Sequence, residues 1–334
     1  MPITIRQFDF HTENPGPLFD LMERGFGRPV SENIWKWKYM EYPYSQDIKV
    51  FVAEEHRRIL GATTRFPVDI RLDDQTHRVF FSIDSVVDPN SRGKGVMTSL
   101  YRHTAQTVSA MYSKGTNPDM GRIVLRTGLG YKALTPNTRM VHCLSPFKWI
   151  ARRLGMNTQP KAQSSAAANG QPGLCNIKQF GSEFDEFWNR VSPMYPGIVV
   201  KNADYMNWRY VYIPHIQYHR FYRRIREEIA SVVVLRMGRT VGSIVDVIWD
   251  PCVPDEPVKI IRLANRFLKQ CGLIKSTCWG TFETLRHGLR ANYFFDRGEV
   301  IEFRGYCNPP SPDALSVGHM IHFVDGDGDS ECCE

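Results

Sequence analysis

An internal repeat is the feature that most constrains the fold of this chain. Residues 37–43 read WKYMEYP, and residues 208–214, about half the chain further on, read WRYVYIP with the same spacing. A second pair of anchors follows in the same order, because residues 84–89 read DSVVDP and residues 246–251 read DVIWDP. Anchors repeated in one order indicate two copies of one structural unit.

Each copy mixes strand and helix signals. Runs of β-branched and aromatic residues precede the DxxxDP anchors, and apolar residues at helical spacing follow them. In the first copy this spacing covers Val96, Leu100, Thr104, Val108 and Met111. Because strands come before and after the long helix, we predict an α/β (mixed α+β) fold with two units, each a mixed twisted sheet flanked by helices.

The composition of one segment suggests the domain boundary. Residues 157–173 read NTQPKAQSSAAANGQPG, which is typical of a linker. We therefore predict a first domain over residues 1–150, a linker over 151–174 and a second domain over 175–334. The Gly-Asp repeats at residues 325–329 are predicted to be a frayed end.

Charge and cysteine usage bound the partners and the compartment. The 334 residues carry 42 Lys and Arg against 35 Asp and Glu, a formal charge of +7. This favours an anionic ligand, but the charge is spread along the chain and gives no expectation of nucleic-acid binding. The eight cysteines lack metal-ligand spacing and no secretory signal begins the chain, so we expect a cytoplasmic protein without a metal. The apolar stretches are too short for a transmembrane segment, and the oligomeric state is left open.

A glycine loop is the strongest functional signal. Residues 88–97 read DPNSRGKGVM and connect a predicted strand to the long helix. Such a junction binds anions, because the free N–H groups and the dipole of the first helical turn point at it, and glycine lets a phosphate approach the backbone. Arg92 and Lys94 would add charge-assisted bonds. An ordinary helix that begins with glycine is the alternative for this tetrapeptide alone.

The order strand, RGKG and helix resembles the acetyl-CoA loop of the GNAT acyltransferase superfamily, whose pattern is (Arg/Gln)-x-x-Gly-x-(Gly/Ala). Arg92 and Gly95 match this pattern, and Met97 stands where the family usually has a small residue. Residues 115–118 (GTNP) and 129–131 (LGY) resemble later elements of the family. The resemblance implies two GNAT-like domains with acetyl-CoA, the acyl donor, in the first. The implied cofactor-binding residues are Val86, Val87, Arg92, Gly93, Lys94, Gly95, Val96, Met97 and Asn117.

The second copy departs from this pattern at the loop. After Asp250 the chain reads PCVPDEPVK, with no glycine and with Asp255 and Glu256 where a phosphate would lie. Carboxylates repel phosphate. We predict a degenerate GNAT-like domain without the cofactor loop.

Acyl transfer to an amine needs a base, and Asp84 is the candidate. It lies two residues before Val86 and so on the same face of a regular strand. Because Asp246 repeats it in the second copy, a shared structural role is an equal alternative. The tyrosine that the family often uses as an acid is absent from the helix predicted near residues 120–127.

Three aromatic residues of the first repeat anchor are candidates for acceptor binding. Trp35, Trp37 and Tyr39 could stack on a sugar or another flat acceptor, and packing in the core is the alternative.

The resemblance implies an acetyl-CoA-dependent N-acyltransferase that moves an acetyl group to a small-molecule or sugar amine. One alternative is an aminoacyl-tRNA-dependent transferase of the Fem type, which does not need the RGKG loop. Another is a non-catalytic acyl-CoA-binding protein, which Met97 and the absent tyrosine favour.

Overall fold

A computed structural model describes residues 3–72, 74–108, 110–114, 121–123, 126–133, 138–156, 172–297, 303–307 and 321–327. The strands are β1 Thr4–Phe8, β2 Lys49–Glu55, β3 Arg58–Leu72, β4 Gln75–Val87, β5 Ala110–Lys114, β6 Lys132–Ala133, β7 Met140–Cys143, β8 Cys175–Asn176, β9 Gly197–Val199, β10 Tyr218–Ile225, β11 Glu228–Met237, β12 Val241–Trp249, β13 Lys275–Cys278, β14 Phe303–Cys307 and β15 Ile321–His322. The α-helices are α1 Gly16–Phe26, α2 Glu32–Trp35, α3 Val96–Thr104, α4 Pro146–Arg153, α5 Ser182–Val191, α6 Ala203–Tyr210, α7 Glu256–Gln270 and α8 Glu283–Ala291.

The first sheet has the strand order β1-β2-β3-β4-β5-β14-β6. Strands β4 and β5 are parallel, whereas β1, β2 and β3 pair in antiparallel fashion and β14 is antiparallel to both of its neighbours. Helix α3 covers one face of this sheet through a buried apolar cluster. The second sheet has six strands in the order β7-β13-β12-β11-β10-β8, of which β12 and β13 are parallel. Both sheets are mixed, and the predicted fold class is confirmed.

The long helix predicted after the first repeat anchor is shorter than its apolar spacing suggested. Helix α3 ends at Thr104, and Met111 lies on β5. Met111 belongs to the same buried cluster as Leu100. Met111 faces the same core from a strand, so it fitted the apolar spacing of the helix. The pattern therefore predicted a longer helix than the structure has.

The structure divides into two compact units. The first unit comprises residues 1–70, 75–135 and 302–318, and the second comprises 71–74, 136–301 and 319–334. Strand β14 thus lies in the sheet of the first half and β7 in the sheet of the second half, where β7 pairs with β13. These units differ from the boundaries predicted at residues 150 and 175, because linker composition does not reveal an exchange of strands. Most of the predicted linker lies outside the described residues.

The Gly-Asp segment near the C-terminus was wrongly predicted to fray. Residues Asp325–Asp327 form a buried 3₁₀ turn. The Lys201 ammonium is 2.8 Å from Oδ1 of Asp327, and the Arg209 guanidinium donates to the carbonyl of Gly326 over 2.8 Å. A Cβ on Gly326 would lie 1.8 Å from the Tyr210 hydroxyl oxygen, so only glycine fits there.

The described parts of the chain show three further properties. None of their helices is both long and apolar enough to cross a membrane. No group of His, Cys, Asp and Glu side chains in them could hold a metal ion. Free thiols are found at Cys143, Cys175, Cys252, Cys271 and Cys278.

Candidate active site

The glycine loop between β4 and α3 is open on one side. A 3₁₀ turn over Pro89–Ser91 leads into it, and Gly93 and Gly95 have φ angles of 80° and 78°. A Cβ at either glycine would meet no atom within 4 Å. The backbone conformation therefore favours glycine at both positions, and the space above the loop can admit a ligand.

The first turn of α3 presents its backbone to this open side. The side chains of Val96 and Met97 are buried in the core cluster on the opposite side. A Cβ on Gly61 would lie 2.7 Å from Cγ1 of Val96, so Gly61 allows α3 to approach β3. The large Met97 side chain, which departs from the family pattern, points into the core and does not obstruct the loop.

Asp88 fixes the start of the loop. Its buried carboxylate accepts the Asn90 N–H over 3.0 Å, and its Oδ2 accepts from Nε of Arg24 over 3.2 Å and from Nη2 of Arg58 over 2.9 Å. Its own N–H donates to the carbonyl of Leu60 on β3 over 2.8 Å. The loop is thus anchored to α1, β3 and its own backbone.

Two exposed cations accompany the glycines. Arg92 and Lys94 are both exposed, and Nη2 of Arg92 donates to the carbonyl of Gly25 over 3.1 Å. These charges add to the positive end of the α3 dipole. The loop, the helix terminus and the cations together have the features expected of an anion site.

Strands β4 and β5 separate beside this loop. Among the described residues their ladder pairs only Phe80 with Met111 and Phe81 with Tyr112, whereas β4 continues to Val87. The gap beyond the ladder is bordered by the last residues of β4.

The backbone of Val87 faces this gap. The N–H of Asp88 points to β3, and alternation along a strand turns the N–H and C=O of Val87 to the opposite edge. The carbonyl of Val86 faces β3 instead and would lie 3.3 Å from a Cβ on Gly61. The geometry therefore favours Val87 over Val86 for backbone bonds to a pantetheine arm.

Asp84 has a strained backbone and two strong partners. Its φ angle is 47°, which is uncommon for a residue other than glycine. Its Oδ2 accepts from the Lys38 ammonium over 2.8 Å and from the Tyr39 hydroxyl over 2.6 Å, and no described residue donates to Oδ1. Burial, followed by the Asp84 carboxylate, raises the pKa of Tyr39 well above its usual value, so this phenol stays neutral.

The second unit contains the same carboxylate cluster, but without a positive φ angle at the aspartate. Asp246 accepts from the Lys201 ammonium over 2.8 and 2.9 Å and from the Tyr210 hydroxyl over 2.6 Å. Its side chain is 1% exposed, against 11% for Asp84, and its φ is not positive. The shared pairing supports a structural role in both units, whereas the strain and the exposure are particular to Asp84.

The aromatic residues predicted to bind the acceptor lie in the core. Trp35, Trp37 and Tyr39 are buried, and the rings of Trp35 and Tyr39 stack with centroids 3.8 Å apart. They have no exposed ring face for an acceptor, so the structure agrees with the packing alternative. Helical aromatic spacing alone does not distinguish these two roles. Asn117, predicted to contact the cofactor, lies outside the described residues.

The corresponding loop of the second unit is shorter and differently charged. Residues 251–255 replace residues 89–95, and Asp255 occupies the position before α7 that Gly95 occupies before α3. Asp255 has the same left-handed conformation, with φ 57°. Glu256 turns inward, where it accepts from the Arg223 guanidinium over 2.5 Å and the Ser231 hydroxyl over 2.6 Å.

In the second unit, a tyrosine hydroxyl is hydrogen-bonded to the strand backbone groups that correspond to those expected to bind pantetheine in the first unit. Trp249 ends β12 as Val87 ends β4. The Tyr195 hydroxyl donates to the carbonyl of Trp249 over 2.7 Å and accepts from its N–H over 3.0 Å. The strand groups of Trp249 are therefore already bonded and are not open to a CoA molecule.

Comparison with known families agrees with this geometry. Residues 16–114 match a family model described as acetyltransferase (GNAT) domain. This segment includes the glycine loop, Asp84 and helix α3. Residues 16–114 therefore carry a GNAT acetyltransferase domain.

Solved structures share this fold at low sequence identity. A GCN5-related N-acetyltransferase from Anabaena variabilis is 11% identical with a TM-score of 0.62, over 90% of this chain and 72% of the other. A probable N-acyltransferase from Enterococcus faecalis is 10% identical with a TM-score of 0.56, over 83% of this chain. This chain spans 65% of the length of that protein.

A third structure, Saccharomyces cerevisiae N-myristoyltransferase with bound myristoyl-CoA, is also similar. It is 10% identical with a TM-score of 0.56, over 91% of this chain and 79% of the other. No curated protein sequence matches this chain. These likenesses concern the fold alone.

Proposed function

We propose that the first unit transfers the acetyl group of acetyl-CoA to the amine of a small molecule or sugar. The observation that carries this proposal is the difference between the two units at the same position of the fold. The first unit has open glycines beside Arg92 and Lys94, whereas the second has the Asp255 carboxylate and the inserted Tyr195 hydroxyl. The acyl-CoA site is therefore assigned to the first unit alone.

The residues at the closed end of the strand gap favour a short acyl group. The ladder that ends the gap is formed by Phe80, Phe81, Met111 and Tyr112, all of which are buried. The rings of Phe81 and Tyr112 are 5.9 Å apart. A long acyl chain directed along this gap would reach the ladder, which supports a short acyl group.

The transfer forms a C–N bond between the amine and the acyl carbon and breaks the C–S bond of the thioester. A proton leaves the attacking amine, and the departing thiolate takes up a proton. Oδ1 of Asp84 could accept the amine proton, directly or through water, while Lys38 and Tyr39 hold Oδ2. The carboxylate would also attract a cationic amine to the site.

A cytoplasmic location is part of the same proposal. The free thiols of the described cysteines support the reducing cytoplasm that the sequence predicts. CoA thioesters are available to an enzyme there.

Turnover with a panel of amines tests the proposal. The purified chain is incubated with acetyl-CoA and amino sugars, polyamines or amino acids, and acetylated product and released CoA are quantified by mass spectrometry. Thiol reagents are avoided because Cys175 and Cys252 are exposed and free. We expect equal amounts of product and CoA from at least one amine.

Two outcomes favour the alternatives. CoA binding without turnover of any amine would support a non-catalytic acyl-CoA-binding protein. Transfer from aminoacyl-tRNA in the absence of acetyl-CoA would support the Fem type of reaction.

A further inference from the structure

Three arginines converge on one side of the glycine loop. Arg24 and Arg58 bond the same Oδ2 of Asp88, over 3.2 and 2.9 Å, so their guanidinium groups are neighbours. Arg92 donates to the carbonyl of Gly25, the residue after Arg24. The side chains of Arg24 and Arg58 are 43% and 58% exposed, so both can still contact a ligand.

Rigid elements fix the position of Arg58. It pairs with Glu55 across a two-residue turn whose residues, His56 and Arg57, both have positive φ angles. This is the tight turn that sets hairpin register. Two residues beyond Arg58, Leu60 holds the backbone of Asp88, so the hairpin and the loop form one framework.

The second unit retains the framework without the excess charge. Arg190 bonds Asp250 as Arg24 bonds Asp88. Glu228, however, pairs with Ile225 across the corresponding turn at the position of Arg58, and it lies 3.9 Å from Arg190. One arginine is therefore enough to hold the aspartate of this turn. The second arginine, Arg58, is present only in the unit that has the glycine loop.

The charges in the first unit exceed what a pyrophosphate alone would use. The loop N–H groups, Arg92 and Lys94 already provide the pyrophosphate site. Arg24 and Arg58 carry two positive charges against the single charge of Asp88, beside that site. CoA carries a third phosphate on its ribose.

We infer that Arg24 and Arg58 bind the ribose 3′-phosphate of CoA and make the enzyme selective for CoA over dephospho-CoA. This inference rests on the proposed acyl-CoA function of the first unit. A phosphate monoester is a strong acceptor for guanidinium donors, and arginine pairs that converge on one point suit it.

Calorimetric titration of the full chain with CoA and with dephospho-CoA tests this inference. We expect the intact protein to bind CoA at least about tenfold more tightly than dephospho-CoA, and Arg58→Gln to reduce this ratio to about threefold or less. Affinity for dephospho-CoA should stay within about twofold, because only the 3′-phosphate contact is lost. Glu228→Gln, the matched change in the second unit, should alter neither affinity. Circular dichroism verifies that each variant is folded.

Arg92→Glu separates this inference from the proposed function. It should weaken binding of both ligands by a similar factor, because both carry the pyrophosphate. Equal affinities of the intact protein for both ligands, or equal weakening of both by Arg58→Gln, would overturn the 3′-phosphate assignment and leave the acyl-CoA site standing. Failure of the intact protein to bind either ligand would overturn both.

Discussion

Replacing Gly95 with aspartate gives the first unit the residue type that stands before the long helix in the second unit. Asp255 shows that an aspartate adopts the left-handed conformation before the long helix, so Gly95→Asp should fold. The new carboxylate would stand in the open space above the loop, where the proposed pyrophosphate lies. We therefore expect this variant to lose CoA binding while its melting temperature changes little.

The size of the effect follows from Coulomb's law. Two unit charges roughly 5 Å apart at an effective dielectric constant near 20 repel by about 3 kcal/mol, which corresponds to a loss of affinity of about two orders of magnitude. Gly95→Asn has nearly the same shape without the charge, and asparagine tolerates the left-handed conformation. We expect this control to lose at most about tenfold, since only space is taken up.

Calorimetry with CoA and thermal melts of both variants provide the assay. Asp255→Gly in the second unit is the matched control and should leave CoA affinity unchanged. If folded Gly95→Asp bound CoA as tightly as the unaltered protein, the loop would not be the anion site.

Three further predictions concern the glycine loop, the Asp84 carboxylate and the core of the second unit. Arg92→Glu reverses a charge at the loop and should weaken CoA binding by at least about tenfold with the fold unchanged, as measured by calorimetry and circular dichroism. Asp84→Asn should lower the rate of acetyl transfer by at least about a hundredfold while CoA affinity stays within about threefold, and equal turnover would leave only the structural role seen at Asp246. Burial and then the Lys201 ammonium lower the pKa of His322 from 6.5 to about 4, so the unfolded chain binds the proton first and stability falls as pH decreases from about 6.5 to about 4, by up to about 3 kcal/mol. His322→Gln should remove this part of the acid destabilisation in urea titrations at pH 7 and pH 4.5, and an unchanged difference between the two pH values would contradict the assignment.

The sequence predicted the features that depend on local chemistry. Repeated anchors indicated two related mixed sheets, and the glycines at 93 and 95 predicted a loop whose conformation only glycine adopts easily. The two mixed sheets are confirmed, because they depend on patterns among neighbouring residues and not on distant packing. The carboxylates at 255 and 256 predict a second unit without that loop; Asp255 stands at the helix start, whereas Glu256 is buried against Arg223 and Ser231.

Features that depend on contacts between residues far apart in the chain could not be predicted from the sequence. The exchange of β7 and β14 between the halves is set by pairing with β13 and β5, which local composition does not encode. The insertion of Tyr195 against Trp249 joins residues far apart in the chain. Periodicity also gave no means to separate buried aromatic rings such as Trp37 from an acceptor surface.

The arginines around Asp88 were missed although the repeat contained a signal for them. Once the two halves are aligned on their anchors, the hairpin turn EHRR of residues 55–58 corresponds to IREE of residues 225–228. The reversal of charge at Arg58 and Glu228 marks the unit with the anion site. Comparing the halves for charge as well as for apolar residues would have revealed it.

The stoichiometry of CoA binding tests the central claim most directly. Titration of the full chain with CoA, monitored by calorimetry, should give one site per chain, and Gly95→Asp should abolish it while Asp255→Gly leaves it intact. Two sites per chain, or one site that survives Gly95→Asp, would contradict the assignment of the acyl-CoA site to the first unit.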